Sequence, residues 1–419
     1  MADIRPFRAL RPKPELAEQI AALPYDVMDT AEARAVIART PLSFLRVTKS
    51  EALLPEGVDQ YAKEVYLKAK ENLNELQSKG QLVPDSEPYF YIYRQKMGSH
   101  EQIGIVATSS VEEYRTGKIK KHELTRPDKE DDRVNHIKYL AAQTGAVFLS
   151  YKKSLAIDKL VSEIMKKTMP DYDFTADDGI EHTLYVVKDA KDIQSIKDEF
   201  AKLDYMYIAD GHHRSAAAMR TADLAIKNNP SHTGEEEYNF FLTVIFPDDM
   251  MQILDYNRAV KDLHGHSEED FLGKIQEKFK VESLSELTKP FQLHEFTMYL
   301  GGKWYKLVAK EGTYDKNSPT GSLDVSILQD NLLQPLLGIE EPRTDKRIQF
   351  IGGIRGLKEL QKLVDTGKAA VAFALYPTSM KELMAIADAG EIMPPKSTWF
   401  EPKLRDAMAV HMIEEEYLK

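Results

Sequence analysis

The strongest constraint on what this chain can fold into is a hydrophobic period that switches from strand-like to helical and back again near its end. Residues 347–351 read as a strand, 357–365 as a helix, 369–376 as a strand and 379–389 as a helix. Strands joined through a helix run parallel, and the crossover between them is right-handed. An all-helical bundle and an all-β sandwich are therefore excluded, and an α/β architecture is expected. Upstream, β-rich runs at 89–95 and 102–111 flank Met97-Gly98-Ser99-His100, the pattern of an antiparallel hairpin. With both signals present, the sheet is expected to be mixed.

At 419 residues the chain is long for one hydrophobic core. Two portions are expected, residues 1–250 and 251–419, with intertwining of the second with the first left open. Residues 30–39 predict a helix with Thr30 as its N-cap, and residues 59–80 predict an amphipathic helix closed by Gly80. The dense charged run at 122–133 reads as a solvated loop broken by Pro127, ahead of a helix reaching Gln143. Strands are expected at 146–151, 182–187, 204–209 and 238–246, with helices at 155–168, 192–203 and 215–228.

Composition removes several classes of function. Lys and Arg number 56 against 67 Asp and Glu, a net charge of −11, so no overall field draws the protein onto nucleic acid or an anionic membrane. Neither is expected as a partner. The absence of cysteine excludes disulfides, Cys-ligated metal and thiol nucleophiles. The longest apolar run, 369–376, is far short of the roughly 20 residues a membrane helix needs. Residues 1–10 lack the apolar stretch of a secretory signal. A cytoplasmic location is expected.

The chemistry concentrates at one bend. The strand at 204–209 runs into Asp210-Gly211-His212-His213-Arg214-Ser215 and then into a helix. Amides at such a helix start attract anions, and glycine lets backbone approach a phosphate closely. Gly211, Arg214 and Ser215 are thus phosphate-binding candidates. Asp210, His212 and His213 are catalytic candidates, the carboxylate as base or Mg²⁺ ligand and the imidazoles as acid, base or donor. In the charged run, Glu123 is the best further base and Arg126 a further phosphate ligand. Two more turns offer cations for phosphate, Arg355 within Gly352-Gly353-Ile354-Arg355-Gly356 and Lys396 within a proline-stiffened loop. Arg5, Arg8 and Arg11 form a basic edge near Tyr25-Asp26-Val27. His264 and His266 lack a third ligand, and no metal site is assigned.

Five strings occur in order along the chain: Ile4-Arg5-Pro6-Phe7-Arg8-Ala9-Leu10, Tyr25-Asp26-Val27, His122-Glu123-Leu124-Thr125-Arg126-Pro127-Asp128, Ala209-Asp210-Gly211-His212-His213-Arg214 and Pro394-Pro395-Lys396-Ser397-Thr398-Trp399-Phe400. Together they resemble the prokaryotic family catalogued as domain of unknown function 1015, over nearly the whole chain. The Asp-Gly-His-x-Arg string is also distantly similar to that of free-serine kinases of the ParB/sulfiredoxin fold, which transfer a nucleotide phosphate to the hydroxyl of L-serine. This resemblance implies a ParB/sulfiredoxin-like phosphate-binding core in the mixed sheet, followed by a C-terminal α/β portion. It implies that Asp210 matches the kinases' acidic residue, with Gly211, His212 and Arg214 as the phosphate turn. His213 departs from the small hydroxyl residue common there, and Glu123 has no counterpart in the motif.

The expected activity is therefore phosphotransfer from ATP or ADP with Mg²⁺ to a small hydroxyl substrate such as free L-serine. Two alternatives stand beside it. One is a phosphomonoester hydrolase with His212 or His213 as acid. The other is a non-catalytic nucleotide-binding regulator like the ParB proteins. The expected partners are a nucleotide and a small molecule, with a homodimer left open.

Overall fold

The expected hairpin lies within the larger of two main sheets. In the computed structural model, which describes residues 2–419, strands Phe90–Met97 and His100–Ser110 pair antiparallel across Gly98, whose φ of +60° glycine adopts without strain. They belong to a nine-stranded sheet. Phe240–Pro247 pairs antiparallel with His100–Ser110 and parallel with Val147–Tyr151, and Met206–Asp210 lies antiparallel on the far side of the latter. The sheet is mixed, and its apolar side chains form one cluster with those of the helices packed on it.

Contacts divide the chain into a first unit, residues 1–251 and 402–419, and a second, residues 252–401. The expectation ran the C-terminal portion on to 419. Residues 402–419 instead belong with the first unit, because their backbone and apolar side chains find partners there. Leu10 and Val410 exchange two hydrogen bonds of 2.9 Å, Ala22 and Asp406 pair likewise, and His411–Met412 forms a strand with Ala142–Gln143. Val410 and Ala407 are buried with Leu10, Ile20, Leu45 and Leu73.

Local chemistry explains where two helices begin. The helix Thr30–Arg39 is capped one residue earlier than expected, by Asp29, whose carboxylate accepts from the Glu32 amide while Glu32 bonds back to the Asp29 amide. The charged run is looped only over 122–126; from Pro127 on it is helical, within Pro127–Leu140. Pro127 occupies the first turn, where a missing N–H costs nothing, and Asp128 and Glu130 face the positive end of the helix.

The second unit holds a six-stranded sheet with apolar clusters built on it. Strands Ile348–Gly352 and Val371–Leu375, joined by the helix Leu357–Asp365, both lie antiparallel to Tyr256–Val260. They are therefore parallel to each other, and the expected crossover passes over one intervening strand. Arg258 is 2% exposed and, among the described residues, pairs with no carboxylate; it donates to the carbonyls of Tyr256 (2.6 Å) and Lys396 (2.9 Å). Burial lowers its pKa to about 9. The proline-rich loop is thus pinned by a buried guanidinium, with Lys396 at φ +58°.

Close approach in the first sheet gives a stability test. A Cβ on Gly104 would lie 2.8 Å from the ring of Phe246 on the adjacent strand. Gly104→Val is expected to lower unfolding free energy by about 1–3 kcal/mol through overpacking, with partial recovery in Gly104→Val/Phe246→Leu. Urea denaturation midpoints check both.

Candidate functional site

The strand Met206–Asp210 is buried as far as Ala209 and hands over to the helix His212–Asn228 through Gly211 alone. Gly211 has φ +99°, a conformation that side chains disfavour, and no side chain caps the helix it begins. Ala217, Ala218, Ala222 and Ala225 are buried in the same cluster as the sheet. Small residues let the helix lie close, so the sheet fixes the direction of its first turn.

Arg214 folds back over the bend. A Cβ on Gly211 would sit 3.1 Å from its Nε and 3.2 Å from its Cζ, so a side chain here would crowd the guanidinium as well as strain the dihedral angle. The guanidinium donates to the carbonyl of Ala146 and stands 3.7 Å from one Asp210 oxygen. Lys403 donates to the other oxygen at 3.2 Å. Burial opposes the charge on Asp210, but Lys403 and Arg214 outweigh it and hold the carboxyl well below the usual carboxylate range.

The two histidines are placed by backbone amides. His212 is 4% exposed; its Nε2 accepts from the His122 amide at 3.5 Å, and its Nδ1 lies 3.8 Å from the Glu123 carboxylate. This pattern assigns the ring proton to Nδ1, on the side of Glu123. The His122 ring meets it edge-on, with centroids 4.5 Å apart. Burial, helped by the neighbouring His122, holds His212 well below the ordinary histidine range, and burial brings His122 down to about 4. His213 Nε2 accepts from the Arg126 amide at 3.1 Å, and burial lowers its pKa too. All three rings are neutral at pH 7.

The bend thus brings together Asp210, Gly211, His212, His213, Arg214 and Glu123. Ser215 is placed otherwise: its hydroxyl donates to the Gly211 carbonyl at 3.2 Å, closing the first helical turn. Arg126 joins through its amide, while its exposed guanidinium pairs with Asp128 at 2.7 Å. Arg355 and Lys396 are exposed residues of the second unit.

Further charged groups of the first unit complete the surroundings. Tyr25, Arg133, His136, Gly145, Arg214 and Asp406 line a cavity of about 30 Å³. The Arg133 guanidinium lies 3.8 Å from the centre of the Tyr25 ring, and burial pushes the Tyr25 hydroxyl up to about 12. Asp26 is exposed, and its charge acts on His213 and Arg214. Tyr25, Asp26 and His122 stand in strings that carry the family resemblance. Lys403 and Asp406 carry no such signal, being isolated charges in a loop remote in sequence.

A family model described as "Protein of unknown function (DUF1015)" matches residues 4–326. No curated protein matches the chain. Among solved structures, a free serine kinase in complex with AMP is similar at 13% identity and a TM-score of 0.37, covering 75% of this chain and 93% of that one. A mutant free serine kinase in complex with ADP gives 14% and 0.36, covering 75% and 94%. A conserved hypothetical protein from Pyrococcus furiosus gives 15% and 0.34, covering 74% and 95%.

Buried neutral histidines set an acid dependence. Burial holds His122 and His136 at about 4 and His182 at about 3, below the ordinary histidine value of about 6.5. Between those limits the unfolded chain binds more protons than the folded one, so their contribution to stability is complete above pH 6.5 and is lost as pH falls toward 4. Asp406, raised by burial to about 7, acts with the opposite sign over the same interval. Urea midpoints are expected to fall from pH 6.5 to 4, more steeply in Asp406→Asn and less steeply in His136→Gln.

Proposed function

The chain belongs to the DUF1015 family, and we propose that it is a nucleotide-dependent phosphotransferase acting on a small hydroxyl substrate at the Gly211 bend. One observation carries this reading: a glycine turn whose helix start no side chain caps, a guanidinium folded over it, and an ionised carboxylate held between Arg214 and Lys403. Amides and Arg214 bind the charge of a transferring phosphoryl group. Phosphoryl transfer depends chiefly on positioning and charge stabilisation, which fixed groups of this kind supply. The similarity of the Asp210-Gly211-His212-His213-Arg214 string to the free-serine kinase motif makes ATP or ADP the donor and free L-serine the first acceptor to test.

Mg²⁺ suits this donor set. It takes oxygen ligands, commonly one or two carboxylates with phosphates and water, and Asp210 presents an ionised carboxylate at the turn. Among the described residues no group of three or more His, Asp or Glu could hold a metal, so the phosphates would supply the remaining ligands. When bound, the ion would neutralise charge on the phosphates. Glu123 is the base for the acceptor hydroxyl, oriented by the Nδ1–H of His212. Because His212 and His213 are held neutral and each accepts a backbone amide, neither is set up as the acid that a phosphomonoester hydrolase would need.

Incubation of the full chain with ATP or ADP, Mg²⁺ and L-serine is expected to yield O-phosphoserine, read by ³¹P NMR. Asp210→Asn and Arg214→Gln should each lower kcat/KM by about 10²–10³ while leaving the circular dichroism spectrum intact. No transfer to any of a panel of small alcohols, from either nucleotide, by folded protein removes the proposal. Phosphate release from a monoester without nucleotide assigns the bend to hydrolysis instead.

A further inference from the structure

The cavity beside the bend contains a buried carboxylate to which no side chain donates among the described residues. Asp406 is 3% exposed, and among the described residues no hydrogen bond or ion pair reaches its side chain, although its backbone is bridged to Ala22. Its Oδ1 faces Gly145, 3.1 Å from where a Cβ would stand, and the Arg214 side chain flanks the same point at 3.6 Å.

The neighbouring cations are already committed. Arg133 pairs with Asp132 at 2.7 Å, Arg214 stands by Asp210 at 3.7 Å, and Arg405 pairs with Asp178. Each guanidinium has a nearer carboxylate, so Arg214, Arg133 and Arg405 act on Asp406 through their charge alone, against burial and the charge of exposed Asp26, and none of the three donates to its oxygens. The remaining titratable lining groups, Tyr25 and His136, are neutral at pH 7. A buried carboxyl in such a place either takes up a proton or waits for a cation.

Resting on the phosphotransfer reading, we propose that Asp406 receives the protonated primary amine of the acceptor, making this cavity the subsite that selects amino alcohols over their hydroxy analogues. The space suits that group. About 30 Å³ holds a moiety of the size of one or two waters, and an ammonium offers three donors where the cavity has an unused carboxylate. Arg214 forms both the cover of the Gly211 turn and a wall of the cavity. An amine seated on Asp406 therefore lies one side chain away from the phosphate turn, with the substrate's hydroxyl directed toward it.

The test compares L-serine with L-glycerate, which keeps the configuration, the carboxylate and both remaining carbons but has a hydroxyl in place of the amine. Calorimetric titration of the full chain is expected to show L-serine binding about ten- to a hundredfold more tightly than L-glycerate. In Asp406→Asn that ratio should fall to within about threefold. Nucleotide titration of the variant shows whether its site is still folded. Wild-type protein supplies a second reading free of mutation: serine binding should weaken as pH falls below about 7 and Asp406 takes up a proton.

A ratio unchanged in Asp406→Asn, or a wild-type preference for glycerate, overturns the assignment even if phosphoryl transfer is found. Amine-selective binding that depends on Asp406, without transfer to any acceptor, keeps the assignment and removes the kinase reading. Absence of both binding and transfer removes the two together.

Discussion

A guanidinium folded over a glycine organises the first unit's polar centre. Arg214 can occupy that place because residue 211 has no Cβ, and because the turn's positive φ sends the chain straight from strand to helix. Once there it touches three things at once: the Asp210 carboxylate, the carbonyl of Ala146 before a central strand, and the cavity that contains Asp406. No lysine could reproduce this, since a single ammonium lacks the planar fork that spans separate acceptors. The helix behind it is alanine-rich for a related reason, as a close sheet-to-helix distance keeps the turn and its arginine in register with the strand end.

Charge around this centre is arranged so that most of it cancels locally. Asp210 remains ionised despite burial because two cations bracket it, while the imidazoles nearby stay neutral because burial has no comparable compensation. The result is a fixed pattern of donors and acceptors that changes little near neutral pH. Preorganisation of that kind stabilises developing charge without rearrangement at the moment of reaction. Asp406 departs from the pattern, being a buried carboxyl on which the nearby guanidinium charges act without outweighing burial.

Much of this was legible in the sequence where the physics is local. The bend announced itself because a β-rich run, a glycine and an alanine-rich helix are contiguous, and the hairpin around Gly98 because its turn lies between two β-rich runs. The second half of the charged run, 127–133, was misread as a loop because Pro127 breaks helices in their interior, yet it starts them well at the first turn, where acidic residues also favour the dipole. Lys403 and Asp406 were invisible for a different reason. Lys403 and Asp210 are 193 positions apart, and nothing in a short charged loop tells which distant strand end it will meet. The roles of His212 and His213 as amide acceptors were equally hidden, since the same imidazole reads as acid, base or acceptor until its neighbours are known.

The excursion of residues 252–401 between two parts of the first unit has a consequence for biogenesis. Lys403 and Asp406 leave the ribosome only after the entire second unit has been translated, so a nascent chain can form the Gly211 bend long before it can complete the surroundings of that bend. Asp210 in the interim must hold its charge without the lysine, and the backbone edges at Leu10 and Ala22 stay open to solvent. Synthesis order thus delays the finished site until the intervening unit has emerged, and that unit can fold while its host is still incomplete.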